Sequence, residues 1–143
     1  MLDRSLVQNS TMLRIQKSYI DEMIAHASED APNECCGLLA GRAGKVTKLY
    51  RMTNMSASPH RYDMDGKEMI PVLQEIDDMG WQLLAIYHSH TYSPAYPSMT
   101  DVRYATWPEA SYILISLVKK GQPEVRVYKI NGSRVSEERL QIT

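Results

Sequence analysis

The segment that most constrains the fold runs from Gln82 to His90 and has the sequence QLLAIYHSH. It is apolar at consecutive positions until its end, which is typical of a strand covered on both faces in the middle of a sheet. Side chains two positions apart in a strand lie on the same face. The sequence therefore predicts a central strand from whose end His88 and His90 project together.

The other periodic segments indicate helices and strands in alternation. Apolar residues at helical spacing predict helices over 19–28, 66–79 and 99–107, with Ser18 as the N-cap of the first and His26 on its outer face. Apolar and β-branched runs predict strands over 13–15, 35–40, 46–52, 112–118 and 124–130. Because the order lacks a regular βαβ rhythm, we expect a mixed α/β (α+β) fold, with one central mixed β-sheet flanked by helices.

Length and charge narrow the class of protein. The 143 residues suit one domain, which we place at 12–143, with residues 1–11 as a flexible N-terminal segment. A net charge of -1, with no run of more than two basic residues, argues against a nucleic-acid partner. No stretch is long and apolar enough to span a membrane, and the adjacent Cys35 and Cys36 offer no disulfide framework. We therefore expect a cytoplasmic protein.

The motif that carries chemistry is His88-Ser89-His90, followed after seven residues by Ser98-Met99-Thr100-Asp101. Zinc takes neutral imidazole nitrogens and carboxylate oxygens, and three protein ligands leave a fourth position for water. However, a histidine at a strand end is more often hydrogen-bonded or exposed than a ligand. Ser98 and Asp101 also form a plain capping box at a helix start. The two interpretations are compatible, because a helix start is a rigid place from which to aim a carboxylate.

Glu34 precedes the apolar run 35–40, and taken alone it would be a solvated loop residue. Together with the histidine motif it resembles the pattern of the JAMM metallopeptidases, also called the MPN-plus or Mov34/MPN/PAD-1 family. That pattern is a Glu ahead of a short strand, then His-x-His, seven residues and Ser-x-x-Asp. Every spacing is intact here, and the resemblance extends from about residue 13 to 130.

The resemblance implies a JAMM/MPN, cytidine-deaminase-like architecture and a role for each motif residue. His88, His90 and Asp101 correspond to the ligands of one Zn2+ that also holds a water. Glu34 corresponds to the general base, and Ser98 to the donor that stabilises the developing oxyanion. One departure is visible, since Thr91 stands where the family commonly has proline, and this affects the shape of the following loop.

The small prokaryotic branch of the family implies a substrate class. We expect a zinc-dependent peptidase or isopeptidase acting after the C-terminal glycine of a ubiquitin-like sulfur-carrier protein or its adduct, with a Gly-Gly tail bordered by 46–52 and 54–64. Two alternatives remain open. One is a non-catalytic interaction module of the same fold, and the other is a DNA-repair-associated relative, which the near-neutral charge does not support. The sequence does not indicate an oligomeric state.

Overall fold

The computed structural model describes residues 12–143, so the flexible segment predicted at 1–11 lies outside the described residues. This part of the chain forms one mixed sheet of eight strands in the order β7-β6-β5-β4-β2-β3-β1-β8. The strands are β1 Arg14–Ile15, β2 Cys36–Arg42, β3 Lys45–Met52, β4 Gln82–His90, β5 Ser111–Ser116, β6 Glu124–Asn131, β7 Arg134–Glu138 and β8 Gln141–Ile142. The helices are α1 Lys17–Asp30, α2 Gly66–Asp78 and α3 Met99–Arg103.

Strand β4 lies in the interior of the sheet, between β2, which is antiparallel to it, and β5, which is parallel. Apolar residues of α1 pack with Tyr87 on one face of the sheet. Apolar residues of α2 and α3 pack with Ile86 on the other face. The expected central sheet flanked by helices is therefore confirmed. Within residues 12–143, none of the helices combines the length and apolar character that crossing a membrane requires.

Three local predictions are wrong. Helix α1 begins at Lys17 with Gln16 at its N-cap, which makes no side-chain cap bond, so Ser18 lies inside the helix. Helix α3 ends at Arg103 instead of continuing to residue 107. His26 does not face outwards but is only 4% exposed, with Nδ1 2.7 Å from the Tyr87 hydroxyl oxygen. The buried face of α1 therefore includes the polar residue His26 as well as the apolar stripe, because His26 pairs with the Tyr87 hydroxyl group.

Gly37 in β2 lies beside Tyr87 of β4, and a Cβ at this position would overlap the Tyr87 ring. We expect Gly37→Ala to lower the free energy of unfolding by about 1–3 kcal/mol, the usual cost of overpacking a core. Gly66→Ala is the matched control, because a Cβ there meets no atom within 4 Å. Urea unfolding measures both variants, and equal stability of the two would contradict the packing described for Tyr87.

Candidate active site

The C-terminal end of β4 brings three buried residues, His88, Ser89 and His90, to the edge of the core. Alternation along the strand puts His88 and His90 on the face that Ile86 shares with α2 and α3. Cys36 and Leu114 are the neighbours of His88 on the two adjoining strands. The sheet thus fixes the backbone of both histidines and directs their rings towards the start of α3.

Asp101 meets these rings from α3. The Ser98 Oγ accepts a hydrogen bond from the Asp101 backbone N at 3.0 Å, and Asp101 Oδ2 accepts one from the Ser98 backbone N at 2.9 Å. This reciprocal capping box holds the carboxylate at the helix start. The same Oδ2 lies 2.9 Å from His90 Nε2 and 3.1 Å from His88 Nε2. The cap and the histidine cluster therefore share one carboxylate oxygen.

The donor atoms fit a divalent cation. His90 Nδ1 lies 2.8 Å from the Pro94 carbonyl oxygen, which can only accept, so in a neutral His90 the proton belongs on Nδ1 and Nε2 is bare. Both ring nitrogens of His88 are buried without a hydrogen bond in residues 12–143, since the contact of Nε2 with Asp101 lacks hydrogen-bond geometry. One ligand atom from each of the three residues lies within 4.8 Å of the others. Two imidazole nitrogens and a carboxylate oxygen are donors that zinc accepts.

Electrostatics act in opposite directions on the two histidines, since burial lowers the pKa of His90 but its hydrogen bonds with Asp101 and the Pro94 carbonyl raise it above the usual value. Burial lowers the pKa of His88, which favours the neutral imidazole that can act as a ligand. Burial works in the opposite direction on Asp101, yet the close contacts of its Oδ2 with the ring nitrogens of His88 and His90 hold the pKa of its carboxyl well below the usual range. The cluster is therefore two histidines beside an ionised carboxylate.

Glu34 lies two residues ahead of the first residue of β2 and is 3% exposed. Its Oε1 has no hydrogen-bond partner in the described residues. Burial raises the pKa of Glu34 to about 8, against the opposing effect of His90. Its backbone is held on both sides, because its N donates to the Ser58 carbonyl and its own carbonyl accepts from Asn54 Nδ2, at 2.9 and 3.0 Å. A fixed carboxyl group with such a pKa can accept and return a proton near neutral pH.

The segment between β3 and α2 covers one side of the histidine pair. Tyr62 stacks on His88 with ring centroids 4.4 Å apart, so it contacts the site directly rather than only packing in the core. Asn54 organises this segment, because its amide nitrogen donates to the Glu34 and Arg61 carbonyls and its amide oxygen accepts from Ser56 and Asp63. Its hydrogen-bonding groups are all engaged within the chain.

Two hydroxyl groups tie the site together. Ser89 Oγ accepts a hydrogen bond from the Cys35 backbone N at 2.8 Å, which links the histidine strand to the residue after Glu34. Thr91 Oγ1 donates to the Pro32 carbonyl at 2.9 Å, so the threonine restrains the loop by a hydrogen bond where proline would restrain it by its ring.

Burial raises the pKa of Cys35 to about 12, which disfavours a thiolate nucleophile.

Two cavities flank the site. The aromatic cavity, of about 250 Å³, lies beside Asp101 and is lined by Tyr62, Tyr104, Trp107 and Tyr112 among others. The Glu34 cavity, of about 570 Å³, lies between the end of α1 and the end of β3, and Glu34 is part of its wall. The two share no lining residue. The sequence did not predict the Glu34 cavity, because its wall combines residues from α1, from β3 and from the segment after β3.

The fold and the site together define the class of protein. Its members have a mixed sheet, and a buried cluster of two histidines and a carboxylate lies at the end of an interior strand, beside a buried glutamate. The chain belongs to the family of prokaryotic homologs of the JAB domain, whose model matches residues 16–131. This confirms the predicted membership of the small prokaryotic branch of the JAMM/MPN family.

Three relatives support this membership. The CysO-cysteine peptidase of Mycobacterium tuberculosis is 39% identical over 133 residues, which cover 92% of this chain and 91% of that protein. The desampylase of Haloferax volcanii is 35% identical over 114 residues, covering 75% of this chain and 82% of that protein. The solution structure of a protein from Desulfitobacterium hafniense matches with a TM-score of 0.83 and 35% identity, over 92% of this chain and 93% of that one.

Proposed function

We propose that this protein is a zinc-dependent peptidase or isopeptidase that hydrolyses the bond after the C-terminal glycine of a ubiquitin-like sulfur-carrier protein or its adduct. The observation that carries the proposal is the convergence of His88, His90 and Asp101 beside the buried, unpartnered carboxyl group of Glu34. The similarity to a CysO-cysteine peptidase over 92% of the chain supports the choice of substrate class.

Each residue has a chemical role in this proposal. His88, His90 and Asp101 would hold zinc, which supplies a Lewis acid that polarises the carbonyl group and makes water a nucleophile at neutral pH. Glu34 accepts a proton from the attacking water and delivers it to the leaving nitrogen as the C–N bond breaks, which gives a carboxylic acid and an amine. Ser98 donates its hydroxyl hydrogen to the carbonyl oxygen as negative charge develops there, since its Oγ accepts only from the Asp101 N–H.

The aromatic cavity supports an extended acyl tail of small residues. It lies beside Asp101, and its volume of about 250 Å³ is less than half that of the Glu34 cavity. Tyr62, whose ring stacks on His88, forms part of its wall. Glycine permits the closest approach of backbone to a confined site, so a Gly-Gly tail suits this cavity better than a tail with side chains.

The test compares three substrates for the zinc-loaded protein. They are a ubiquitin-like carrier whose Gly-Gly end is joined to an amine, the same adduct with Ala-Ala, and an unrelated unfolded protein. We expect cleavage of the first, a large loss of rate with the second and little action on the third. Equal cleavage of all three would indicate a general protease, and the proposal of a carrier-protein substrate would then be abandoned.

Ser98→Ala removes both an oxyanion donor and a helix cap. We expect kcat to fall by about 10²-fold from loss of the donor, and stability to fall by about 1 kcal/mol from loss of the cap. The matched control is Ser98→Thr, which retains a hydroxyl for both roles. Kinetics and a thermal melt separate the two effects, because a loss of this size leaves a typical domain folded. A full rate for Ser98→Ala would exclude Ser98 as the donor.

A further inference from the structure

We propose that the Glu34 cavity is the leaving-group site, and that Asp30 in its wall binds the positively charged amine that departs. The inference rests on the proposed hydrolysis and names the chemical class that the other half of the substrate must have. The class is a primary amine on a slender chain, either the α-amine of an amino acid or the side chain of a lysine.

The return of the proton decides which cavity binds the leaving group and which binds the acyl tail of the substrate. The group that returns the proton must reach the leaving nitrogen, so the leaving group lies on the side of Glu34. Glu34 lines the larger cavity and is absent from the wall of the aromatic cavity, whereas Asp101 lines only the aromatic cavity. The Oε1 of Glu34 is buried without a partner in residues 12–143, so the carboxyl group that would return the proton belongs to a wall residue of the larger cavity.

The wall of the Glu34 cavity carries excess negative charge. It includes the carboxylate groups of Glu29 and Asp30 and the guanidinium group of Arg51. Arg51 Nη1 lies 2.9 Å from Glu29 Oε2, so these two charges offset each other. The neighbour of Asp30 is His26, whose Nε2 lies 3.3 Å from Asp30 Oδ2. Burial lowers the pKa of His26, which leaves it neutral and the charge of Asp30 uncompensated.

The position of Asp30 in α1 conflicts with helix electrostatics. Glu29 and Asp30 lie in the last turn of α1, where no basic residue is present. The C-terminal end of a helix carries partial negative charge, so carboxylates there are destabilising. A bound ammonium group would supply the positive charge that this helix end lacks.

Size and shape limit what can enter. About 570 Å³ accommodates an amino acid or a lysine side chain but not the body of a folded protein. The rim is open enough for a chain to pass, since the side chains of Asp30 and Glu29 are 40% and 60% exposed. A protein-linked lysine could therefore reach Glu34 while its own protein stays outside.

The first test is binding of simple amines to the full chain without added metal, so that no amine can bind through a metal. The probes are n-butylamine for a lysine side chain, glycinamide for an α-amine, and the uncharged n-butanol. We expect saturable shifts of the backbone amide signals of Asn33, Thr53 and Ala57 in NMR spectra with at least one amine and none with n-butanol. The amine that binds more tightly identifies the source of the leaving group.

The variants are Asp30→Asn and, as a matched control, Asp78→Asn. Asp78 is likewise the last residue of its helix, α2, and lies outside the cavity wall. Both changes relieve the same conflict with the helix dipole, so both melting temperatures should stay equal or rise. We expect Asp30→Asn to weaken amine binding about fivefold and Asp78→Asn to leave it unchanged. Absence of saturable binding to the wild-type chain, or equal weakening in both variants, would overturn the proposal.

Kinetics then separate this inference from the proposed function. The Gly-Gly end of a ubiquitin-like carrier is joined to the ε-amine of lysine or to the α-amine of glycinamide, and KM and kcat of the zinc-loaded protein are compared between the wild type and Asp30→Asn. Hydrolysis without amine binding in the cavity would refute the leaving-group site alone. Amine binding without hydrolysis of either adduct would refute the peptidase function while leaving the cavity an amine site.

Discussion

Glu34→Gln should bind metal as the wild type does and hydrolyse its substrate about 10²–10⁴-fold more slowly. The amide is nearly isosteric with the carboxyl group but cannot accept the proton. Folding should not suffer, because burial already disfavours the ionised form of Glu34, as its pKa of about 8 indicates. Initial rates on a Gly-Gly carrier adduct, with zinc content by elemental analysis, measure the two properties separately.

Glu109→Gln is the control for this variant, because Glu109 is an exposed residue of the loop before β5, outside both cavities. It should keep the wild-type rate. Wild-type turnover by Glu34→Gln would show that another group moves the proton. A parallel loss of zinc would instead indicate that Glu34 acts as a ligand.

His88→Ala should reduce zinc from about one equivalent per chain to a small fraction, since two of three ligands rarely hold zinc at a catalytic site. Zinc should also raise the melting temperature of the wild type, because a ligand that binds the folded state stabilises it. That shift should disappear in the variant. Elemental analysis after dialysis and a melt with and without zinc measure both effects.

His88 is buried beneath Tyr62, so the alanine variant also creates a void that can impair folding. His88→Gln provides a variant of closer volume, and NMR spectra check that it is folded. His60→Ala is the control, because His60 is exposed and lies outside the metal cluster. Unchanged zinc content in a folded His88→Gln chain would remove His88 from the ligand set.

The parts of the fold that were predictable depend on neighbours in sequence. The apolar run of β4 and the two-residue spacing of His88 and His90 place these rings on one face without knowledge of any partner. The capping box of Ser98 and Asp101 spans four residues and forms as the sequence predicts. These local patterns, with Glu34 ahead of β2, describe most of the candidate site.

The parts that were missed depend on contacts between distant residues. His26 is buried because its ring meets the Tyr87 hydroxyl, 61 positions away, and no helical period reveals that partner. Strand β8 forms through parallel pairing with β1 at the other end of the described chain. The Glu34 cavity requires α1, β3 and the following segment to come together, so the role inferred for Asp30 has no signal in the sequence around it.

The separate walls of the two cavities have a consequence for how such enzymes diversify. Because no residue lines both, a substitution can reshape the recess around Tyr62 and Trp107 without replacing a wall residue of the recess around Asp30 and Arg51. Under the proposed assignment of the two cavities, selection can alter the preference for a carrier tail and the preference for a departing amine through substitutions at different positions. His88 and His90 line neither cavity, so such substitutions leave the histidine pair of β4 in place.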